Sequence, residues 1–191
     1  YFNADGVGLG YGAYIRSSDY SNFNISAYNT ESFGGSVQFV LPINEIEQLS
    51  LSASIDQTDL SSSALSSRQL LDFISTEGSK FESLTLGVTW SRNSLNRGLF
   101  PTAGTLNVLS GSVAVPGSSL TYGKLSHRFK YYRPLPSDFV FSIRTEVGGL
   151  FAYGDTETPP PYENFYAGGL NSVRGFEQNS LGPRAVYSGF Y

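Results

Sequence analysis

Apolar and polar side chains alternate along most of this chain with a period of two residues. From Val7 to Ile15 every second residue is apolar, and the residues between them are glycines and one tyrosine. The alternation recurs in six further segments, at residues 35–41, 49–55, 84–90, 109–115, 125–131 and 139–153. Because successive side chains of a β-strand point to opposite faces, the pattern predicts seven strands, each with one apolar face.

The length and the polarity of these segments favour strands that cross a membrane. Residues 139–153 form a run of fifteen, whereas strands of soluble proteins usually have ~5–6 residues and a tilted membrane strand needs ~9–11. In the third segment the positions between the apolar residues hold Ser50, Ser52, Ser54 and Asp56, which would make a poor protein core. We therefore expect apolar faces in contact with lipid and polar faces around a wet lumen.

The connections between the predicted strands are alternately short and long. Short turns are expected at residues 42–48, 96–104 and 134–138, and long loops at residues 17–29, 57–81 and beyond 154. Outer-membrane barrels show this alternation, with short periplasmic turns and longer extracellular loops. The apolar spacing of residues 68–74 predicts one or two helical turns in the second long loop. The predicted fold class is all-β, an antiparallel transmembrane β-barrel that is present here as a partial barrel.

Composition excludes several other classes of protein. Only 40% of the residues are hydrophobic, and no stretch approaches the ~20 consecutive apolar residues of a membrane-spanning helix. The absence of cysteine rules out a disulfide scaffold and thiolate metal sites. The net charge of −4, with scattered basic residues, gives no support for a surface that binds nucleic acid. Residues 1–5 lack a signal-peptide pattern, so we expect any leader to be removed or to lie in sequence not given.

Residues suited to catalysis are sparse. His127 is the only histidine, and it falls on the predicted lipid-facing phase of its strand, where a catalytic triad or a histidine metal site is not expected. Glu163 and Asp155 have no spacing that indicates acid-base chemistry. We therefore predict no enzyme activity, no catalytic residue, no metal and no cofactor.

Four basic residues fall on the polar phase of the last two predicted strands. Lys124, Arg128, Lys130 and Arg144 share this phase with Glu146. The simplest interpretation is a solvated inner wall, and a lumen that attracts anions is the alternative.

Three segments resemble a known family. They are Tyr-Glu-Asn-Phe-Tyr-Ala-Gly-Gly at 162–169 with Val-Arg-Gly-Phe at 173–176 and residues 181–187, the Pro-Ile-Asn-Glu turn at 42–45, and Arg-Gly-Leu-Phe-Pro-Thr-Ala-Gly at 97–104. In this order they resemble the BamA family of outer-membrane protein assembly factors. The resemblance covers nearly the whole chain and aligns it with a middle-to-late part of the barrel. It implies that the first and last strands and the periplasmic domains are missing from this sequence.

The resemblance implies a function without covalent chemistry. The chain would be part of the barrel of a machine that folds and inserts β-barrel proteins into the outer membrane of a Gram-negative bacterium. Expected partners are outer-membrane lipid, unfolded client proteins and the lipoproteins of the machine. In the family, insertion is tied to a seam between the first and last strands, where a client strand pairs with an edge. This chain alone is therefore expected to be inactive.

The resemblance also assigns a functional loop. Residues 1–154 would hold the strands, and residues 155–191 would be the sixth extracellular loop, directed into the lumen. The functional residues would be Val173, Arg174, Gly175 and Phe176, with Gly168 and Gly169.

The arginine of this loop has a defined expected environment. In the family it reaches into the lumen and contacts acidic groups, so Arg174 is expected near the inner wall, with Phe176 buried beside it and Glu146 as a substitute partner. An exposed arginine in a flexible loop is the alternative. The glycines are expected in a tight loop with positive φ, as opposed to ordinary loop flexibility.

Other functions within the same fold class stay open. A two-partner secretion transporter of the same superfamily carries a related loop motif, and a small structural barrel or an outer-membrane enzyme would share the strand pattern.

Seven strands also leave two open edges, and they are too few to close around an inserted loop. We expect these edges to pair with another copy of the chain, in preference to its own tail at residues 185–191.

Overall fold

The computed structural model describes residues 6–19, 28–63, 66–170 and 172–182. These residues form a seven-stranded antiparallel sheet in which each strand pairs with its neighbours in sequence order. The strands are β1 (Gly8–Asp19), β2 (Tyr28–Pro42), β3 (Glu47–Ser62), β4 (Lys80–Asn93), β5 (Gly104–Ala114), β6 (Tyr122–Pro134) and β7 (Val140–Ala152). The predicted antiparallel all-β meander is confirmed.

The strands are long, from 11 residues in β5 to 16 in β3. The predicted loop at residues 57–81 is partly wrong, because β3 continues to Ser62 and β4 begins at Lys80. Their ladder continues past the apolar alternation, and its last pair joins Asp59 to Lys80, whose side chains form an ion pair at 3.6 Å. Backbone pairing does not require alternating side chains, so the sequence pattern ends earlier than the strand.

One α-helix lies in this loop, α1 (Arg68–Glu77). It confirms the predicted helical turns and extends them to ten residues. The Ser67 hydroxyl caps its first turn by accepting a hydrogen bond from the Leu70 amide at 3.3 Å. Among the residues that the structure describes, no helix is long and apolar enough to cross a membrane.

The register places the apolar phases of all strands on one face, which we call the outer face. Directly opposite pairs such as Phe39 and Leu51, or Leu51 and Val88, share this face. Its side chains are open to the surroundings, with Ile15 91% and Val147 68% exposed. An exposed apolar surface of this extent is unsuited to water and typical of contact with lipid.

The opposite, inner face is lined by hydroxyl and charged groups. Hydroxyls pair across strands, as in Ser32 with Thr58 at 2.9 Å and Thr89 with Ser110 at 3.1 Å. This polar wall matches the predicted wet lumen.

Among the described residues, a conventional hydrophobic core lies at one end of the inner face. Its buried members are Tyr28, Leu60, Leu70, Phe73, Phe81, Ala114, Leu120 and Tyr122. They come from strand ends at this end of the sheet, from the connection between β5 and β6, and from α1, whose Phe73 ring lies 5.7 Å from that of Phe81. We call this the long-loop end, and the other the short-turn end.

The sheet does not close on itself. Within the described residues β1 pairs only with β2 and β7 only with β6, so each edge strand has one unpaired side. This confirms that seven strands do not close around a loop. The tail at residues 185–191, considered above as an extra strand, lies outside the described residues.

The assignment of the two faces predicts a labelling pattern. The chain has no cysteine, so single cysteines can be placed at adjacent positions of a barrel that carries it. Spin labels at Leu86 and Phe141 should be broadened by oxygen dissolved in the bilayer, because these residues lie on the outer face. Labels at Thr85 and Ser142 should respond instead to a water-soluble nickel chelate. The reverse pattern would invert the assignment.

Candidate functional site

After β7 the chain turns back onto the long-loop end of the inner face. Residues 156–166, which we call the stem, begin where the Thr121 amide donates to the Thr156 hydroxyl at 2.8 Å. The Glu157 amide donates to the Glu77 carboxylate of α1 at 2.9 Å. These contacts connect the stem to the start of β6 and to the helix. The loop thus leaves the sheet edge and is held over the inner wall.

The middle of the stem packs into the hydrophobic core. Pro160 is fully buried, and the Tyr162 ring lies 6.3 Å from the ring of Phe81. Burial is the main reason that the pKa of the Tyr162 phenol is raised above its ordinary value. The Tyr28 hydroxyl donates to the Pro161 carbonyl at 3.5 Å, and the Tyr166 hydroxyl to the same oxygen at 3.1 Å. The aromatic residues of the motif therefore stabilise the inward fold of the stem.

The stem also makes a charged contact with the wall. Lys124 of β6 donates to the Glu163 carboxylate at 2.9 Å, and both side chains are about two-thirds buried. The same ammonium lies 4.9 Å from the centre of the Phe165 ring. That ring rests directly on Gly148 of β7. Sequence reasoning missed this cluster, because Lys124 was interpreted as part of the inner wall, either solvated or attractive to anions, and not as a partner of the loop.

A polar cavity of about 240 Å³ remains between the stem and the strands. Charges of both signs line it, from Arg16, Asp56 and Glu163, together with the phenols of Tyr14 and Tyr122. This mixed lining selects no ligand of a single charge. Within the described ranges no three histidine, cysteine or acidic side chains are placed to hold a metal ion.

The Val-Arg-Gly-Phe motif at residues 173–176 lies within residues 167–181, which we call the tip. The neck is closed by the Leu181 amide, which donates to the Ala167 carbonyl at 3.0 Å. The Ser172 hydroxyl accepts from the Gly168 amide and donates to the Gly168 carbonyl, both at 2.8 Å. Positive φ angles at Gly168, Gly169 and Gly175 confirm the predicted tight loop.

The structure also tests the expected surroundings of Arg174. Phe176 is 52% exposed and Val173 and Arg174 are exposed, so the expected burial of Phe176 is wrong in this chain. Glu146 is not a partner of Arg174, because it pairs with Arg128 at 2.9 Å. Arg128 stands directly opposite Glu146 in the β6–β7 ladder, so the register favours this pair. The functional role of the tip residues stays a prediction.

Long antiparallel strands, an apolar outer face and a polar inner wall with a loop folded onto it define the wall of an outer-membrane β-barrel. Residues 1–189 match the Omp85 superfamily domain, and the chain belongs to the Omp85 superfamily.

Two curated relatives carry the name outer membrane protein assembly factor BamA. The protein of Neisseria meningitidis is 34% identical over 96% of this chain, and that of Nitratidesulfovibrio vulgaris is 25% identical over 98% of it. The chain spans about a quarter of their length, 24% and 23%.

A solved structure agrees with these relatives. The crystal structure of BamA from Haemophilus ducreyi lacking POTRA domains 1–3 matches with a TM-score of 0.89 and 28% identity. The match covers 98% of this chain and 38% of that one. The resemblance to BamA inferred from the loop motif is confirmed. The chain is thus a β-barrel segment of the Gram-negative outer membrane.

Two glycines of the tip offer a matched test of its closure. A side chain at Gly168 would overlap the carbonyl oxygen of Glu177, whereas a side chain at Gly175 would meet nothing within 4 Å. Both positions have positive φ, so either alanine substitution carries a backbone strain of about 1–3 kcal/mol. Gly168→Ala adds the overlap and is expected to speed protease cleavage within residues 167–181 more than Gly175→Ala. Equal cleavage rates would show that the neck is not held at Gly168.

Proposed function

We propose that the chain is part of the barrel of an outer-membrane protein assembly machine, which folds and inserts β-barrel proteins into the outer membrane. The observation that carries the proposal is the match to BamA over 98% of the chain, because the matched region includes most of the inward-folded loop. The relatives are named outer membrane protein assembly factors, and they are about four times longer than this chain.

The proposed orientation follows from the two ends of the sheet. The short-turn end would face the periplasm and the long-loop end the cell exterior, as in outer-membrane barrels generally. Residues 1–154 would then be the membrane-spanning part and residues 155–191 the sixth extracellular loop. Its stem lies on the inner wall, so the tip is presented from within the barrel outline.

The chain's own part in the activity would be mechanical and non-covalent. The sheet provides a polar wall, the stem fixes the start of the loop, and the tip presents Arg174. No ion pair joins Arg174 to another described residue. A guanidinium that enters a barrel needs acidic partners, so we propose that such groups lie elsewhere in the assembled barrel. We assign no catalytic residue, metal or cofactor.

The partners of the parent protein would be outer-membrane lipid, unfolded client proteins and the lipoproteins of the machine, with no nucleic acid. The edges of β1 and β7 need partners too, because hydrocarbon cannot satisfy backbone N–H and C=O groups. In the parent barrel neighbouring strands would cover these edges. In the isolated chain we propose that a second copy covers them.

The activity is testable in liposomes that hold the full-length protein containing this chain. An added unfolded outer-membrane protein should become folded, seen as a heat-modifiable band on electrophoresis. Arg174→Ala should lower the folded fraction about tenfold, since it removes a charged hydrogen-bonding group. Arg174→Lys keeps the charge but lacks the planar guanidinium. Its folded fraction should therefore lie between those of the parent protein and of Arg174→Ala. Export of a single passenger without folding of clients would indicate a secretion transporter instead.

The edge proposal predicts the mass of the isolated chain. In density-matched detergent, sedimentation should report the protein mass of two chains, because paired edges leave fewer unsatisfied backbone groups than exposed ones. A protein mass of 20.7 kDa would exclude pairing with a copy.

A further inference from the structure

The ion pair between the stem and β6 differs from the other three ion pairs that join described residues. Four ion pairs join described residues, and three of them link positions directly opposite in a strand ladder. The fourth joins Lys124 to Glu163 of the stem, 39 positions along the chain. Lys124 stands opposite Ser112 on one side and Leu150 on the other, so neither neighbouring strand offers it an acid.

We propose that Lys124 and Gly148 are positioning residues for the loop: with Glu163 and Phe165 they form a latch that fixes the stem and thereby sets where the tip is presented. This inference rests on the proposed function for its biological meaning. The latch itself is a structural claim, and it can be tested separately. It acts at a place distinct from Arg174.

The electrostatic part of the latch is partly shielded from water. The side chains of Lys124 and Glu163 are 28% and 32% exposed, whereas the equally short Arg128–Glu146 pair is 48% and 50% exposed. Screening weakens an ion pair less when its groups are withdrawn from solvent. The Phe165 ring, 4.9 Å from the Lys124 ammonium, adds a cation–π contact from the stem. Two stem residues thus hold one lysine.

The steric part of the latch depends on the absence of a side chain at residue 148. Gly148 lies on the inner face, and a Cβ there would lie only 2.4–2.8 Å from three atoms at the far edge of the Phe165 ring. The next residue, Gly149, faces outward, and a Cβ there would meet nothing within 4 Å. The glycine at 148 therefore leaves room for the far edge of this ring. Alanine at this position has to displace the ring, whereas alanine at 149 does not.

The tip follows the stem because it is closed on itself. Its neck is bridged between Ala167 and Leu181, immediately after the stem ends. The amide of Gly169 donates to the carbonyl of Phe176 at 3.0 Å across the same small loop. A closed loop of this kind moves as a unit, so release of Glu163 and Phe165 should relocate Arg174 along with it.

The test uses the full-length protein with spin labels at Ser52→Cys on the inner wall and Val173→Cys on the tip. Lys124→Glu and Glu163→Lys should each shift and broaden the distribution of distances between the two labels, because residues 124 and 163 then carry like charges that repel each other. The double exchange should restore the parent distance. Gly148→Ala should shift the distance, and Gly149→Ala should leave it unchanged. A merely destabilised barrel would not recover on exchanging the two charges.

Client folding provides the second readout. Each single charge reversal should lower it about fivefold, and the double exchange should restore it. If the label-to-label distances stay constant in Lys124→Glu and Gly148→Ala, the latch is overturned. This holds even where Arg174→Ala abolishes client folding. Distances that shift and recover as expected support the latch. If the parent protein then folds no client, the proposed function fails while the latch stands.

Discussion

The structure depends on one constraint, that hydrocarbon cannot hydrogen-bond to the backbone. Each membrane-crossing strand must therefore pair with its neighbours along its length, and the consecutive ladders from β1 to β7 meet this need for all but the two edges. Once pairing is satisfied by the backbone, side chains are free to be sorted by solvent. Apolar residues such as Ile15 and Val147 lie on the outer face, and no core is needed beneath them. In the part of the chain that the structure describes, a conventional core forms at the long-loop end, where the rings of Phe73 and Phe81 meet.

The period-two pattern was sufficient to predict the strands, their order and their two faces, because alternation directly encodes which face a side chain occupies. It did not predict the core at the long-loop end. Tyr28, Phe81 and Tyr122 lie on the inner face and are covered by α1 and the stem, so their positions break the apparent polarity of that face. A single sequence does not distinguish an inner apolar residue that a loop covers from an outer one that lipid covers. Apolar residues on the inner face, Leu60 and Phe81, also end the apparent alternation early, so β3 and β4 were predicted too short.

The candidate site was predictable in part. The motif identified the tip and its glycines, and the positive φ angles follow from that. The contacts of the loop were not predictable, because they depend on strand register and on pairs far apart in sequence. Glu146 was expected to be available to Arg174 on charge alone, yet register places Arg128 opposite it. Arg128 has an acid directly opposite it, whereas Lys124 stands between Ser112 and Leu150, and this difference is visible only once the register is known.

The inward-folded stem has a consequence for the permeability of the membrane. A wide barrel with a polar wall is a water-filled pore, through which small solutes diffuse. Here the stem, α1 and the core around Phe81 and Tyr162 lie across the inner face at the long-loop end, with Pro160 fully buried among them. These side chains occupy cross-section that water would otherwise fill. In a closed barrel that contains this sheet, the contacts that position the loop would therefore also narrow the water-filled lumen.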